Sequence, residues 1–118
     1  MKTLELYFEY CCSPIWTREN TNDILQPIDL DENQISNLLN PYLIKEIDEL
    51  DNMYQETYND DYPPDPLHND NLREYIFVNR VLTSAKLLEK ELRGKYEFIF
   101  DWEYWKSELN KLEEKLYL

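Results

Sequence analysis

Carboxylates dominate the chemistry this chain can offer. Its 118 residues carry 25 Asp and Glu against 12 Lys and Arg, with a single histidine and two cysteines. Acids in groups can move protons, hold a hard cation or meet a basic partner, and each use demands its own spacing. Asp60-Asp61 followed by Asp65 resembles a cation loop only superficially, because the central Gly and the closing Glu of an EF-hand are missing. A glycosidase-type pair would need a sugar cleft, for which a chain of this size offers little material. His68 sits among Pro66, Asn69 and Asp70, a polar setting in which a solvated imidazole is the ordinary outcome and a catalytic base the rare one. Cys11 and Cys12 are neighbours, a spacing that opposes an unstrained disulfide, and a zinc site built on them and His68 would need carboxylates to complete it. With Gly94 as the only glycine, a Gly-rich phosphate cradle is impossible, and there is no nucleophile elbow or dinucleotide fingerprint. These residues point away from an enzyme, a cofactor or a metal, and toward recognition.

The charge has a location. Residues 1–70 hold 16 acidic and three basic side chains, while residues 71–118 hold nine of each, so the whole formal charge of −13 belongs to the first 70 residues. Such a balance excludes a nucleic-acid binder, since phosphate contacts require Lys and Arg, and it suits a basic protein partner. Low hydrophobicity with high charge is also the signature of disorder. Three Trp, ten Tyr and four Phe argue instead for a packed domain, read here as a single unit over 1–118. No apolar run approaches the roughly 18 residues of a membrane span. Met1-Lys2-Thr3-Leu4-Glu5 lacks the apolar stretch of a signal peptide, so the expected location is the cytoplasm.

The elements that must position these groups follow from periodicity. Residues 4–10 alternate, with Leu4, Leu6, Phe8 and Tyr10 on one side, which predicts a strand with one covered face. Ser13 to Leu30 shows no sustained period and contains Pro14 and Pro27, so it reads as a long loop pinned by Ile15, Trp16 and Ile24. Asp31 can cap a short turn ended by Pro41, and Asn40-Pro41 reads as a fresh N-cap with proline at the first helical position. From there Leu43, Ile47, Leu50, Tyr54 and Tyr58 recur at helical intervals, leaving Lys45, Asp48, Glu49, Asn52 and Glu56 on the opposite face. A second long helix capped by Asn69 or Asp70 runs to about Arg93 and stops at Gly94, with Val78, Val81, Leu82, Ala85, Leu88 and Leu92 as its main stripe. Ile76 and Leu87 mark a weaker second face. Residues 96–102, with Tyr96, Phe98, Phe100 and Trp102 on one side, predict a strand. The stripe Trp105, Leu109, Leu112 and Leu116 predicts a C-terminal helix over 103–118. It either covers Ile76 and Leu87 or forms a homodimer seam, and a stripe of under two heptads favours the intramolecular choice and a monomer. The fold class is α+β: a small sheet of strands near 4–10 and 96–102, packed by two long helices plus the C-terminal one.

What remains is a recognition surface. Tyr54 and Tyr58 belong to the core stripe, whereas Trp16, the outer acids Asp48, Glu49 and Glu56, and the loop residues Asp60, Asp61, Tyr62 and Asp65 combine aromatic area with negative charge. The succession of a short N-terminal strand, Cys12-Ser13-Pro14-Ile15-Trp16, a helix ending Leu50-Asp51-Asn52-Met53-Tyr54-Gln55-Glu56-Thr57-Tyr58, the loop Asp60-Asp61-Tyr62-Pro63-Pro64-Asp65, and a helix closing on Leu92-Arg93-Gly94 resembles small bacterial immunity proteins. These are encoded beside polymorphic or contact-dependent growth inhibition toxins. The resemblance spans about residues 4–102 and leaves Glu103–Leu118 as an extension. It implies a cytoplasmic, cofactor-free inhibitor of one cognate toxin C-terminal domain, often a nuclease, whose basic residues the carboxylates would meet. A regulatory or adaptor subunit would share the acidic surface but have no toxin gene beside its own, and a small hydrolase would show activity without any partner. Reversing the charges of Asp60, Asp61 and Asp65 to Lys together is expected to weaken toxin binding at least 10-fold, roughly 1.4 kcal/mol, and to flatten its salt dependence, as read by calorimetric titration at two ionic strengths.

Overall fold

The computed structural model describes residues 2–63 and 65–118, which leaves Pro64 of the acidic loop outside the described residues. A four-stranded sheet has the order β3-β2-β1-β4, with β1 at Thr3–Leu6, β2 at Ile15–Arg18, β3 at Gln26–Ile28 and β4 at Glu97–Ile99. β1 runs antiparallel to β2, Leu6 opposite Ile15, and parallel to β4, Leu4 opposite Phe98. The predicted strand over 4–10 is thus shorter than its alternation, because the chain leaves the ladder after Leu6 and turns through Cys11, whose φ is +62°. Phe8 remains buried although it is no longer in a strand.

The segment 13–30, expected to be a loop, supplies β2 and β3 instead. Elements of four and three residues are too short to show a period. Pro27 masked β3 as well, yet it is tolerated there because β3 is an edge strand with a neighbour on one side only. Trp16 therefore sits on a strand opposite Pro27, rather than in a long loop.

The helices are α1 at Asn33–Ser36, α2 at Pro41–Gln55, α3 at Asn71–Leu92 and α4 at Trp102–Lys115. The starts of α2, α3 and α4 follow the capping chemistry, whereas α1 begins after Glu32 rather than the expected Asp31 and has no side-chain cap. Tyr42 N–H donates to Asn40 Oδ1 at 2.8 Å with Pro41 behind it, Arg73 N–H to Asp70 Oδ1 at 2.9 Å, and Tyr104 N–H to Asp101 Oδ1 at 3.1 Å. Leu43, Ile47 and Leu50 of α2 bury against the Val78–Leu92 stripe of α3 and against Leu4, Leu6 and Ile15 of the sheet. Burial of each such side chain is worth roughly 1.5–3 kcal/mol. Tyr54 is half-buried and stacks on Tyr10 with ring centroids 4.6 Å apart, whereas Tyr58 lies beyond the end of α2 and is 37% exposed.

α4 packs within the molecule but on a different face from the one expected. Trp102 begins this helix rather than ending a strand. Trp105 joins Phe8, Phe77 and Phe100 in an aromatic cluster, and Tyr75 Oη donates to Glu113 at 3.1 Å. Ile76 and Leu87 stay 47% and 45% exposed. The short link is the cause: only Phe100 and Asp101 separate β4 from α4, so the helix must lie on the side of α3 next to the sheet. No helix is long and apolar enough to cross a membrane among the described residues.

Gly94 ends α3 with φ +80°, and Lys95 and Tyr96 N–H both return to Leu92 O at 2.9 and 3.0 Å. A Cβ at this position would meet nothing within 4 Å, so only the backbone preference resists a side chain. Gly94→Ala is expected to lose about 1 kcal/mol, a fall of several degrees in Tm by differential scanning calorimetry.

Candidate partner-binding surface

Helix α2 carries four acids and one lysine, and the structure treats its two flanks differently. On the flank toward α3, Arg80 grips Glu46 through Nε–Oε2 at 2.8 Å and Nη2–Oε1 at 2.5 Å, and its Nη2 also reaches Glu49 Oε2 at 3.0 Å. Two turns away, Arg73 Nη2 donates to Glu56 Oε2 and to the Met53 carbonyl, both at 3.1 Å. Hydrogen bonding from Arg80 holds the Glu46 carboxyl below its ordinary range, and the same contact raises the guanidinium pKa. Glu49 and Glu56, two of the sequence candidates, are therefore already engaged by cations of the chain itself.

The other flank has no such partner among the described residues. Asp48 and Asp51 stand three residues apart and so share a face. Together with Asp29, Asp31, Lys45 and the turn at Cys11–Ser13 they line a groove of about 840 Å³. The wall is fixed by Gln55, whose Oε1 accepts from Cys11 N–H at 3.0 Å while its Nε2 donates to Glu9 O at 3.0 Å and to Asp51 Oδ1 at 3.1 Å. Burial pushes the Asp51 carboxyl above its usual pKa; the bond from Gln55 opposes this and the nearby Asp48 adds to it. A desolvated carboxylate beside a second one is poised to gain from an incoming cation.

The remaining candidates are dispersed. Asp60, Asp61, Tyr62 and Asp65 lie on an exposed loop that Asn59 organises, its Oδ1 accepting from Asp61 and Tyr62 N–H at 3.0 and 3.1 Å and its Nδ2 donating to Asp65 O at 2.9 Å. Trp16 is half-buried on β2, its Nε1–H bound to Tyr7 O at 2.9 Å and its ring edge-on to Tyr7. Asp29, Asp31 and Asp51 were not among the residues singled out from sequence. The available signal was the acid run Asp29–Glu32 before α1 and the interval of three between Asp48 and Asp51; what hid it was the reading of 13–30 as loop. Cys11 is exposed and Cys12 half-buried, both as free thiols. Among the described residues no three or more His, Cys, Asp and Glu side chains come together as a metal site.

These carboxylates are carried by an α+β scaffold with a small open sheet and long helices packed against it. A family model described as Serratia CdiI immunity protein-like matches residues 2–103, and the chain belongs to that family. It is thus a non-catalytic bacterial immunity protein of contact-dependent growth inhibition systems, one that neutralises a cognate toxin. No curated protein matches the chain. Of α4, only Trp102 and Glu103 fall inside the matched residues.

Because Glu46 has a depressed folded pKa, its stabilising contribution is complete above the unfolded value of about 4.3 and disappears as pH falls through the folded one. Glu46→Gln is expected to cost about 1 kcal/mol at pH 7 for this partly exposed pair. The two stability curves, from urea titrations, are expected to converge as pH falls through the lowered Glu46 pKa.

Proposed function

We propose that the chain is a cytoplasmic, monomeric inhibitor of a basic toxin domain, a nuclease, and that it works by offering carboxylates to cations that would otherwise hold phosphate. The observation that carries this reading is the division of α2. Its acids on one flank are neutralised by Arg73 and Arg80, whereas Asp48 and Asp51, joined by Asp29 and Asp31 from a separate segment, face a groove with Lys45 as its one basic lining residue. An unpaired acid half removed from water, as Asp51 is, gains most when a cation completes it, and the exposed Asp29, Asp31 and Asp48 speed encounter. A nuclease must present Lys or Arg to a polyanion, so a groove of aspartates is a natural competitor for that surface.

The exposed loop with Asp60, Asp61, Tyr62 and Asp65 extends the acidic ground past the end of α2, and Tyr62, 62% exposed, adds an aromatic contact of the kind favoured at binding centres. Trp16, held rigid by its bond to Tyr7, offers a second such anchor. Glu49 and Glu56 act here through architecture: they hold α2 on α3 and thereby set which acids remain free.

Co-purification with the product of the neighbouring open reading frame identifies the partner, and substitution then separates the two flanks. Asp48→Asn combined with Asp51→Asn is expected to weaken binding roughly 10- to 100-fold and to reduce the salt slope, with stability unchanged. Glu49→Gln is expected to leave affinity within about threefold and instead lower stability by up to ~1 kcal/mol. Unchanged affinity in the double aspartate variant, measured by calorimetry, would remove the groove from the interface.

A further inference from the structure

One wall of the acidic groove is a turn, and that turn is tied to α2 by a single amide. The chain leaves β1 after Leu6 and re-enters the sheet at Ile15. Between them Cys11 takes φ +62°, a left-handed conformation that a residue with a Cβ holds only where its surroundings favour it. Gln55, the last residue of α2, is the one side chain among the described residues that bonds to the backbone of this turn. Its Oε1 accepts from Cys11 N–H at 3.0 Å, and its Nε2 donates to Glu9 O at 3.0 Å and to Asp51 Oδ1 at 3.1 Å. Only one orientation of the amide satisfies these three groups, because a backbone N–H needs an acceptor while a carbonyl and a carboxylate need donors. The same side chain therefore joins the turn to the helix and holds one oxygen of Asp51, which lies one turn earlier on the same face of α2.

We infer that Gln55 is the positioning residue of the groove: it fixes the Asp51 carboxylate and the Cys11 turn in the placement that a partner's cation meets, and it does so only as a neutral amide. The inference rests on the groove reading above and deepens it. The field of the groove by itself would favour a glutamate at this position, since one more negative charge attracts a cation more strongly. The geometry demands the opposite. A glutamate keeps an acceptor for Cys11 N–H but sets its second oxygen against Glu9 O and Asp51 Oδ1, so that two hydrogen bonds become two repulsions. A methionine keeps the length of the side chain and makes none of the three bonds. Burial, the largest influence on Asp51, raises its pKa; the bond from Gln55 opposes that rise, and Asp48 adds to it. Lys45, Asp29, Asp31, Cys11 and Cys12 are the other titratable groups lining the groove, and Gln55 is the one donor bonded to the Asp51 carboxylate among the described residues. Loss of the amide thus leaves Asp51 freer to rotate and harder to ionise.

The test compares Gln55→Glu and Gln55→Met in the intact chain. NMR titration of the Asp51 carboxyl carbon, which needs no partner, is expected to give a higher pKa in both variants, with a displaced Cys11 amide resonance. An Asp51 titration unchanged in Gln55→Met would overturn the inference. Affinity for the toxin domain encoded by the neighbouring open reading frame, measured by calorimetry, is expected to fall roughly fivefold or more in each variant, despite the charge that Gln55→Glu adds. Binding by Gln55→Glu as tight as that of the parent protein, or tighter, would also overturn it, because the field would then account for the groove without any positioning. Gly94→Ala, destabilised at a residue outside the groove lining, is expected to keep the parent's affinity; an equal loss there would assign the effect to general instability and sink the inference. Should Gln55→Glu fold poorly, Gln55→Met carries both measurements. Unchanged toxin binding in Asp48→Asn/Asp51→Asn defeats the groove reading and the positioning role with it, whereas binding lost there but kept in the Gln55 variants defeats the positioning role alone.

Discussion

The rotation of α2 about its own axis is the constraint on which the rest depends. A helix that buries Leu43, Ile47 and Leu50 while carrying Glu46, Asp48, Glu49 and Asp51 between them must place acids on both sides of its apolar stripe, since helical geometry puts residues three and four apart on one face. Burial of the stripe then sets where every carboxylate points. Glu46 and Glu49 fall toward α3, where Arg80 bridges them, and Asp48 and Asp51 fall toward the Cys11–Ser13 turn, where Lys45 is the one cation among the described residues lining the groove. The apolar contact supplies most of the stabilisation, and Arg80 adds direction: a guanidinium bonded to two glutamates tolerates little slippage between α2 and α3. A helix with the same stripe but rolled by one residue would have exposed the paired flank and covered the free one.

The aromatic cluster couples this arrangement to the C-terminal helix. Phe8, which leaves the sheet with the β1–β2 turn, touches Tyr54 of α2, Phe77 of α3 and Trp105 of α4. One side chain from a loop thereby contacts three helices, and the turn that carries it is also the wall of the acidic groove, tied down by Gln55. The acidic groove and the C-terminal helix are therefore mechanically linked. The groove takes its shape from the turn, and the turn takes its place from the same cluster that seats α4. Close-packed interiors of this kind transmit displacement rather than absorb it.

Legibility from sequence tracked the length of each signal. The starts of the long helices α2 and α3 and the stop at Gly94 were readable, because caps and a 3.6-residue period reinforce one another over 15 and 22 residues, whereas the stripe of α2 was carried one turn too far, to Tyr58. β2 and β3 were not, because four and three residues contain too little alternation and Pro27 argued the other way. Missing them hid the placement of Asp29 and Asp31 against α2, a contact between segments that no local pattern encodes. For the acids of α2, sequence showed the abundance of charge but not its pairing. Arg73 and Arg80 lie 17 and 34 residues from Glu56 and Glu46, so which carboxylates are consumed becomes visible only when α3 is laid beside α2. α4 was legible as a helix, while its seat was not: the exposed Ile76 and Leu87 suggested a landing site, and the shortness of the link from β4 overruled it.

The formal charge of −13 consequently divides into parts with different physical roles. Acids matched by Arg73 and Arg80 act over hydrogen-bond distances and are already spent on holding helices together. Acids scattered over exposed loops act through the field, which salt attenuates within about 8 Å at physiological ionic strength, so they hasten encounter more than they strengthen the complex. Acids that are both free of an ion pair and partly withdrawn from water, as Asp51 beside Asp48 is, keep a large share of their interaction energy in reserve for a cation brought by another molecule. Desolvation makes such groups costly in the free protein, and the same cost makes them discriminating. A partner that places a cation correctly gains twice, from the contact and from the relief of repulsion between the two carboxylates, whereas a partner that misplaces it buries charge without compensation. An inhibitor that must be selective for one toxin among related ones is well served by this kind of poise, because it turns small differences in cation position into large differences in affinity.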